Sequence, residues 1–409
     1  MQPKLLQINV TVNSGSVGRM TEDIANVAIS SGYKSFISYG RNNNGSSSSL
    51  VRIGNNMDVF LHGFFTRIFD KHGLYSKRAT KKYIRKIEDI KPDIVHIHNI
   101  HGYYLNYEIL FKYLNRLNIP IVCTFYDCWP ITGHCTYFDF VGCTKWQTEC
   151  NSCPNKKAYP KSVLFDNSRN NFIKKKEIFS SCNNLTIVVN SVWLSKIVAS
   201  SFLQKMRLRI INTGIDLKKF QPSYSKDILQ KYAIPEDKFI ILGVANNWNR
   251  RKGLDDFLQL SRCNDETFVI VLIGLSKNQQ KKLPENIIGV LRTESTEELS
   301  QFYSTADIFV NPTWADNYPT TNIEALACGT PVITYNTGGS PEILSEDTGF
   351  VIEKGDITGI KQVINKVRGL GKDYFSEKCR RRAIELFNKD DRYNEYITLY
   401  NSLLKLHEK

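Results

Sequence analysis

Three groups of residues in this chain have types and spacings suited to chemistry. The first is Asp316–Pro331, DNYPTTNIEALACGTP, which follows the apolar run IFVNPTW and leads into a helical pattern. Asp316 and Glu324 are eight residues apart, one in the loop and one in the first helical turn. Free amides and the dipole at a helix N-terminus favour a phosphate there. A carboxylate at that end can accept two hydrogen bonds from the hydroxyls of a sugar or ribose. Taken alone, the pair also reads as a helix start with one acid in its first turn. The second group is GVANNWNRRKG, Gly243–Gly253, where Arg250, Arg251 and Lys252 precede a glycine that opens a helix. Cations at that place can neutralise a diphosphate, although an isolated RRK is equally a solvated run. A Gly-Gly turn with an acid, YNTGGSPEIL at Tyr335–Leu344, follows the strand-like PVIT.

The third group is C-x7-C-x6-C-x2-C, formed by Cys135, Cys143, Cys150 and Cys153. Four thiolates with one CxxC pair suit a closed tetrahedral zinc site. The segment between them has little periodicity with which to build a core, and a structural metal would cross-link it. The longer spacings are not those of common zinc fingers. Free thiols, disulfides or an iron–sulfur cluster are the alternatives, and the adjacent His134 could replace one cysteine. The other six of the ten cysteines read as buried apolar thiols. No disulfide framework is expected in a chain of this type.

These residues need elements to hold them. At 409 residues, two domains are expected. Lys4–Val12, Lys34–Tyr39, Pro92–His98, Ile119–Phe125, Leu185–Val189 and Leu208–Ile211 read as strands, with helices near Gly18–Ser31 and Leu105–Leu117. The second half repeats this grammar with Phe239–Val244, Phe268–Gly274, Ile287–Leu291, Ile308–Val310 and Pro331–Thr334, separated by helices such as Thr296–Ser304 and Asn322–Ala327. Alternation of this kind predicts parallel sheets covered by helices on both faces. The turn-rich Asn212–Pro222, NTGIDLKKFQP, marks the boundary. The expected layout is a first domain over 1–215 with a cysteine-bearing insertion at about 128–160, a second over 216–385, and a C-terminal helix over 386–409 packing back on the first. Hydrophobic residues make up 42% and charged residues 23%, which is globular usage and excludes a disordered chain. No apolar run approaches the ~20 residues of a membrane span, and MQPKLLQINVTVN has no signal-peptide core. A soluble cytoplasmic protein is expected, with room for contact at the inner face of the cell membrane.

Together these motifs resemble the retaining glycosyltransferases of family four, which have the GT-B fold: two doubly wound, Rossmann-like parallel-sheet domains facing across a cleft. The matching pieces are IEALACGTPV (Ile323–Val332), Lys252-Gly253 and NTGIDLKKFQP. GSVGRMTEDIA, HIHNIHGYYLNYEIL and DCWPITGHC in the first half look like the colanic-acid-type exopolysaccharide subgroup of bacteria. The resemblance implies transfer of a sugar, with retention, from a nucleotide-sugar to a glycan, carried on a lipid pyrophosphate. Arg251 and Lys252 would hold the donor diphosphate, Asp316 the hydroxyls of the transferred sugar and Glu324 the ribose. Asn317, Tyr318, Pro319, Thr320 and Thr321 would line the donor. Gly15 and Gly18, with His98, Tyr126 and Asp127, would border the cleft from the acceptor side. No catalytic metal is implied. The chain departs from the family at Tyr126-Asp127, where the family often has His-Asp; His98 and His134 are the available substitutes. Rival readings are a basic zinc-containing nucleic-acid-binding protein, a sugar-nucleotide epimerase on the same fold, and a catalytically dead relative.

Charge separates the halves. Residues 1–220 carry 30 Lys+Arg against 14 Asp+Glu, and residues 221–409 carry 24 against 26. The positive excess of the first half suits an anionic partner. Eight cations lie between Arg67 and Lys86 (Arg67, Lys71, Lys77, Arg78, Lys81, Lys82, Arg85, Lys86), and a second run is Lys174–Lys176. Leu61, Phe64, Phe65, Ile68 and Phe69 have the spacing of an apolar helical face beside the first run. That face belongs either to the core or to an anionic membrane surface. No module for nucleic acid is recognisable.

Overall fold

The structure is a computed structural model that describes residues 2–262 and 266–407. These divide into one unit of residues up to Asn212 together with Arg392 onward, and a second of Thr213–Asp391.

The first unit is built on seven strands: β1 (Lys4–Asn9), β2 (Lys34–Tyr39), β3 (Ser49–Arg52), β4 (Ile94–Ile97), β5 (Ile121–Phe125), β6 (Leu185–Val189) and β7 (Arg207–Ile210). They lie in the order β3-β2-β1-β4-β5-β6-β7, and every pairing is parallel. The central β4, β5 and β6 are buried along their whole length, which is why they read as continuous apolar runs rather than alternating ones. Helix α1 (Gly15–Ser30) follows β1, and α2 (Asn56–Phe69) and α3 (Lys77–Ile90) follow β3. A capping box closes the start of α2: Asn55 accepts from the Asp58 amide and Asp58 from the Asn55 amide. The helix Lys389–His407 returns to this unit. Its Tyr393, Tyr396, Tyr400 and Leu403 pack with Leu5, Ile24, Ile94 and Val122 in one core.

The second unit has six strands: β8 (Phe239–Val244), β9 (Phe268–Ile273), β10 (Ile287–Val290), β11 (Ile308–Asn311), β12 (Val332–Tyr335) and β13 (Gly349–Ile352). Their order is β10-β9-β8-β11-β12-β13, again all parallel. Both sheets are thus doubly wound. The chain leaves the middle strand in one direction and crosses back to continue in the other. The reversal falls between β1 and β4 in the first unit and between β8 and β11 in the second. Loops at the carboxyl ends of strands flanking such a reversal splay apart and leave a crevice for ligands.

Candidate functional site

The donor-binding candidates gather at the reversal in the second sheet. The chain leaves β8 and makes a short 3-10 turn, Arg250–Lys252, capped by Asn249, whose side chain accepts from the Lys252 amide at 3.1 Å. Gly253 ends the turn at φ +78°, and a Cβ there would lie 2.2 Å from the Pro312 carbonyl oxygen. Only glycine allows the turn to sit this close to the chain leaving β11. That contact aligns the two loops: the Trp314 amide donates to the Arg251 carbonyl at 2.8 Å.

Across this junction Lys252 Nζ lies 2.5 Å from Asp316 Oδ2. Arg251 Nη1 is 3.8 Å from the same oxygen and donates to the Ala315 carbonyl at 2.6 Å. The Asp316 side chain is only 15% exposed. Burial pushes its pKa up, but the charges of Lys252 and Arg251, the Lys252 hydrogen bond and the Asn317 amide outweigh it and hold the carboxyl below its ordinary value. From beneath, the Gly339 amide donates to the Asn317 carbonyl at 2.8 Å. Gly338, at φ +54°, would place a Cβ 1.7 Å from the Asp316 carbonyl oxygen. The Gly-Gly turn is therefore a support for the Asp316 loop.

The helix Thr320–Ala327 starts straight after that loop, with Pro319 before its first residue. Asn317, Tyr318 and Pro319 are buried, while Thr320 and Thr321 are half-buried at the helix start. Glu324, also buried, accepts from the Tyr303 hydroxyl at 3.0 Å. Asp256 is a residue that sequence reasoning did not single out. It accepts from Trp314 Nε1 at 2.9 Å and from the Tyr335 hydroxyl at 2.7 Å, and so ties the loop after β11 to the end of β12. The site has a fixed anion, two cations and a helix N-terminus at the crevice. Such a set can bind a sugar diphosphate by charge and by hydroxyl acceptance.

In the first unit the reversal brings together the loop after β1 and the loop after β4. Gly15 opens α1 and is exposed; Gly18, one turn later, is buried, and its carbonyl accepts from the Asn13 amide. His98 is 2% exposed. Its Nδ1 meets the Tyr126 hydroxyl at 2.8 Å and its Nε2 meets Gln7 Oε1 at 2.9 Å. Burial lowers its pKa to about 3, and both ring nitrogens are engaged in these contacts. His134 is engaged through Nδ1 alone, on buried Asp70 at 2.5 Å, and its Nε2 has no hydrogen-bond partner among the described residues. The histidine that meets the family-type Asp127 is instead His101, whose Nε2 is 3.0 Å from Asp127 Oδ2. The other Asp127 oxygen accepts from the Trp129 amide at 2.8 Å. His101 stands in the quoted HIHNIHGYY stretch, but nothing local in the sequence couples it to a residue 26 positions away.

Cys135, Cys143, Cys150 and Cys153 line one small cavity, of about 10 Å³, together with His134 and Trp146. The loop that carries them is shaped by short 3-10 turns at Asp139–Val141 and Lys145–Gln147. Among the described residues no three His, Cys, Asp or Glu side chains already stand at metal-holding spacing. Of the remaining cysteines, Cys123, Cys128, Cys182, Cys328 and Cys379 are buried, and Cys263 lies outside the described residues. The Lys174–Lys176 run is not a uniform cationic face. Lys174 pairs with Glu108 at 3.1 Å, whereas Lys175 is buried and donates to the Trp129 and Thr132 carbonyls.

Comparison with known proteins gives two family matches. Residues 17–219 match the model of Glycosyltransferase Family 4, and residues 225–385 that of Glycosyl transferases group 1. WcaC of Escherichia coli K12, named as a colanic acid biosynthesis glycosyl transferase, is 23% identical over 427 residues, covering 98% of this chain and all of the relative. An Escherichia coli UDP-Gal:alpha-D-GlcNAc-diphosphoundecaprenol alpha-1,3-galactosyltransferase is 24% identical over 55% of this chain and 62% of its own length. Among solved structures, Anabaena Alr3699/HepE in complex with UDP-glucose superposes with a TM-score of 0.65 at 12% identity, covering 98% of this chain and 99% of the other. The two sheets form the GT-B fold. The nucleic-acid and epimerase readings find no support in these matches.

Proposed function

We propose that this chain, which belongs to the glycosyltransferases through a Family 4 first half and a group 1 second half, moves a sugar with retention from a nucleotide-sugar to a lipid-linked glycan of a bacterial surface polysaccharide. One observation carries the reading: Arg251, Lys252 and Asp316 converge at the strand reversal of the second sheet. Lys252 and Arg251 neutralise the nucleoside diphosphate as its bond to the sugar breaks. A fixed cation stabilises that growing charge without reorganising at the moment of reaction. Asp316, held ionised, accepts from hydroxyls of the transferred sugar, and Glu324 accepts from the ribose. In the retaining step the bond between the anomeric carbon and the diphosphate oxygen breaks, and an acceptor oxygen bonds to that carbon on the same face. The acceptor proton passes to the departing phosphate oxygen. The likeness to a UDP-glucose complex and to an enzyme named for a diphosphoundecaprenol acceptor supports this choice of donor and acceptor. Proton NMR of the product made from an α-linked nucleotide-sugar tests it: an α-linked product agrees, and a β-linked product overturns retention.

The cysteine loop is assigned one structural zinc ion, held by Cys135, Cys143, Cys150 and Cys153, on the chemistry of its donors. All four cysteines line one cavity, and among the described residues the buried His134 Nε2 beside them has no hydrogen-bond partner. Binding would draw the thiols closer than they stand, which a loop of short turns permits.

A further inference from the structure

A groove of about 450 Å³ opens at the carboxyl ends of β2 and β3. Tyr39 and Arg52, the last residues of those strands, line it together with Arg41, Asn43, Asn56 and Phe60. The backbone that carries Arg41 is fixed. The Gly40 and Arg41 amides donate to the Val10 carbonyl, just after β1, at 3.1 and 2.9 Å. A Cβ at Gly40 would lie 2.2 Å from Cβ of Tyr104, on the loop after β4, so only glycine lets the two loops approach this closely. The next residues run beside Val12: its amide donates to the Asn42 carbonyl at 2.9 Å, and its carbonyl accepts from the Asn44 amide at 3.2 Å. Arg41 is therefore pinned to the loops at the strand reversal of the first sheet, the place where such sheets bind ligands.

The polar groups of the groove are donors. Asn43 Oδ1 accepts from the Gly45 amide at 2.8 Å, and Asn56 Oδ1 is taken by the Arg52 guanidinium. Both carboxamides keep their NH2 groups for a ligand. Among the described residues no carboxylate lines the groove, and neither Arg41 nor Arg52 pairs with one. Acids on the adjoining elements serve their own chain: Asp58 accepts from the Asn55 amide in the α2 cap, and Glu22 accepts from Ser46 and Ser47. Helix α2 turns His62, Gly63 and Thr66 inward and leaves Phe60, Phe64, Phe65 and Phe69 exposed, so its apolar stripe is not a core face. Phe60, 65% exposed, stacks on Phe64 with ring centroids 6.4 Å apart and gives the groove an aromatic surface opposite in character to its arginines. Guanidinium forks match the two oxygens of a carboxylate. Carboxamide N–H groups match the hydroxyl oxygens of a sugar, and aromatic faces match its apolar C–H side. A bare phosphate would use the cations alone and leave the rings and carboxamides without a role.

We propose that this groove binds an acidic sugar, a hexuronate of the acceptor glycan, with Arg41 and Arg52 on its carboxylate. The proposal deepens the functional reading, on which it rests, by naming the class of acceptor. The test is calorimetric titration of the full chain with three probes: an oligosaccharide of alternating glucuronate and N-acetylglucosamine, a neutral N-acetylglucosamine oligomer of the same length, and inorganic pyrophosphate. The acidic oligosaccharide should bind most tightly, with the neutral one about tenfold weaker or more, the scale of hydrogen bonds to a charged group. Arg41→Gln with Arg52→Gln should remove that difference by weakening the acidic oligosaccharide about tenfold or more, with the neutral one unchanged. The thermal shift given by a nucleotide-sugar should be the same in this variant as in the wild type, which also shows that the variant is folded. Equal affinity of the wild type for the acidic and neutral oligosaccharides, no binding of the acidic one, or a variant that binds it as well as the wild type would overturn the assignment. So would pyrophosphate binding more tightly than the acidic oligosaccharide and being lost in the variant, which would make the groove a phosphate site. Binding of the acidic oligosaccharide without any nucleotide-sugar binding would leave the groove standing and remove the transferase reading instead.

Discussion

The Lys252 ammonium lies 2.5 Å from Oδ2 of Asp316, joining the loop after β8 to the loop after β11. The pair sets the electrostatics of the proposed donor site, because Arg251 faces the same oxygen. Lys252→Ala should lower kcat about 10²-fold, the usual scale for removing one preorganised partner of a developing charge, with a smaller change in donor affinity. Asp316→Asn should also lower kcat, while leaving both cations in place to meet the diphosphate. Steady-state kinetics on both variants check this.

Glu324 receives the Tyr303 hydroxyl inside the second unit. Glu324→Gln should weaken donor binding by roughly 1.5–3 kcal/mol, the worth of a hydrogen bond to a charged acceptor. Tyr303→Phe should cost about 1 kcal/mol of stability, with a smaller effect on binding. Calorimetric titration of the nucleotide-sugar separates the two; equal affinity in Glu324→Gln and wild type removes Glu324 from the ribose site.

Much of the second unit was legible in the sequence because its signals are local. Lys252-Gly253 and the Asp316–Glu324 stretch each lie within one loop and one helix start, and the strand runs before them are buried on both faces. The strands β3 and β13 were missed. Both are four-residue edge strands with exposed positions along their length. The direction of α2 was not legible either, since an apolar stripe reads alike whether it faces core or solvent. Pairs such as His101 with Asp127 and His134 with Asp70 depend on tertiary placement, and no spacing rule reaches that far. The charge split pointed to the first half, but only the structure shows Lys175 buried within it.

Acid should destabilise the first unit through its buried histidines. Burial lowers the pKa of His98 and of His62 to about 3 in the folded state, against about 6.5 in the unfolded chain. Between those values the unfolded state binds more protons, so stability rises with pH across about 3 to 6.5 and is lost as pH falls. Each such group contributes a slope of up to about 1.4 kcal/mol per pH unit. His98→Asn should reduce the slope by one proton's share, whatever its effect on absolute stability. Urea titrations at several pH values between about 4 and 6.5 measure it.

For the cysteine loop, protein purified without chelator should contain about one zinc per chain by elemental analysis. Cys150→Ser with Cys153→Ser should release it and lower the melting temperature of the first unit. A metal-free wild type that is fully folded would remove the zinc assignment.

The central claim is that Arg251, Lys252 and Asp316 form the site for a nucleotide-sugar. Its most direct test is a thermal-shift screen of UDP-, GDP-, ADP- and TDP-sugars against wild type, Lys252→Ala and Asp316→Asn. A ligand at about 100 times its Kd stabilises the folded state by about 2.7 kcal/mol, a shift that is easily read. The expected result is a clear rise in melting temperature with one class of nucleotide-sugar in the wild type, and a reduced rise in both variants. No shift with any nucleotide-sugar, or the same shift in all three proteins, would contradict it.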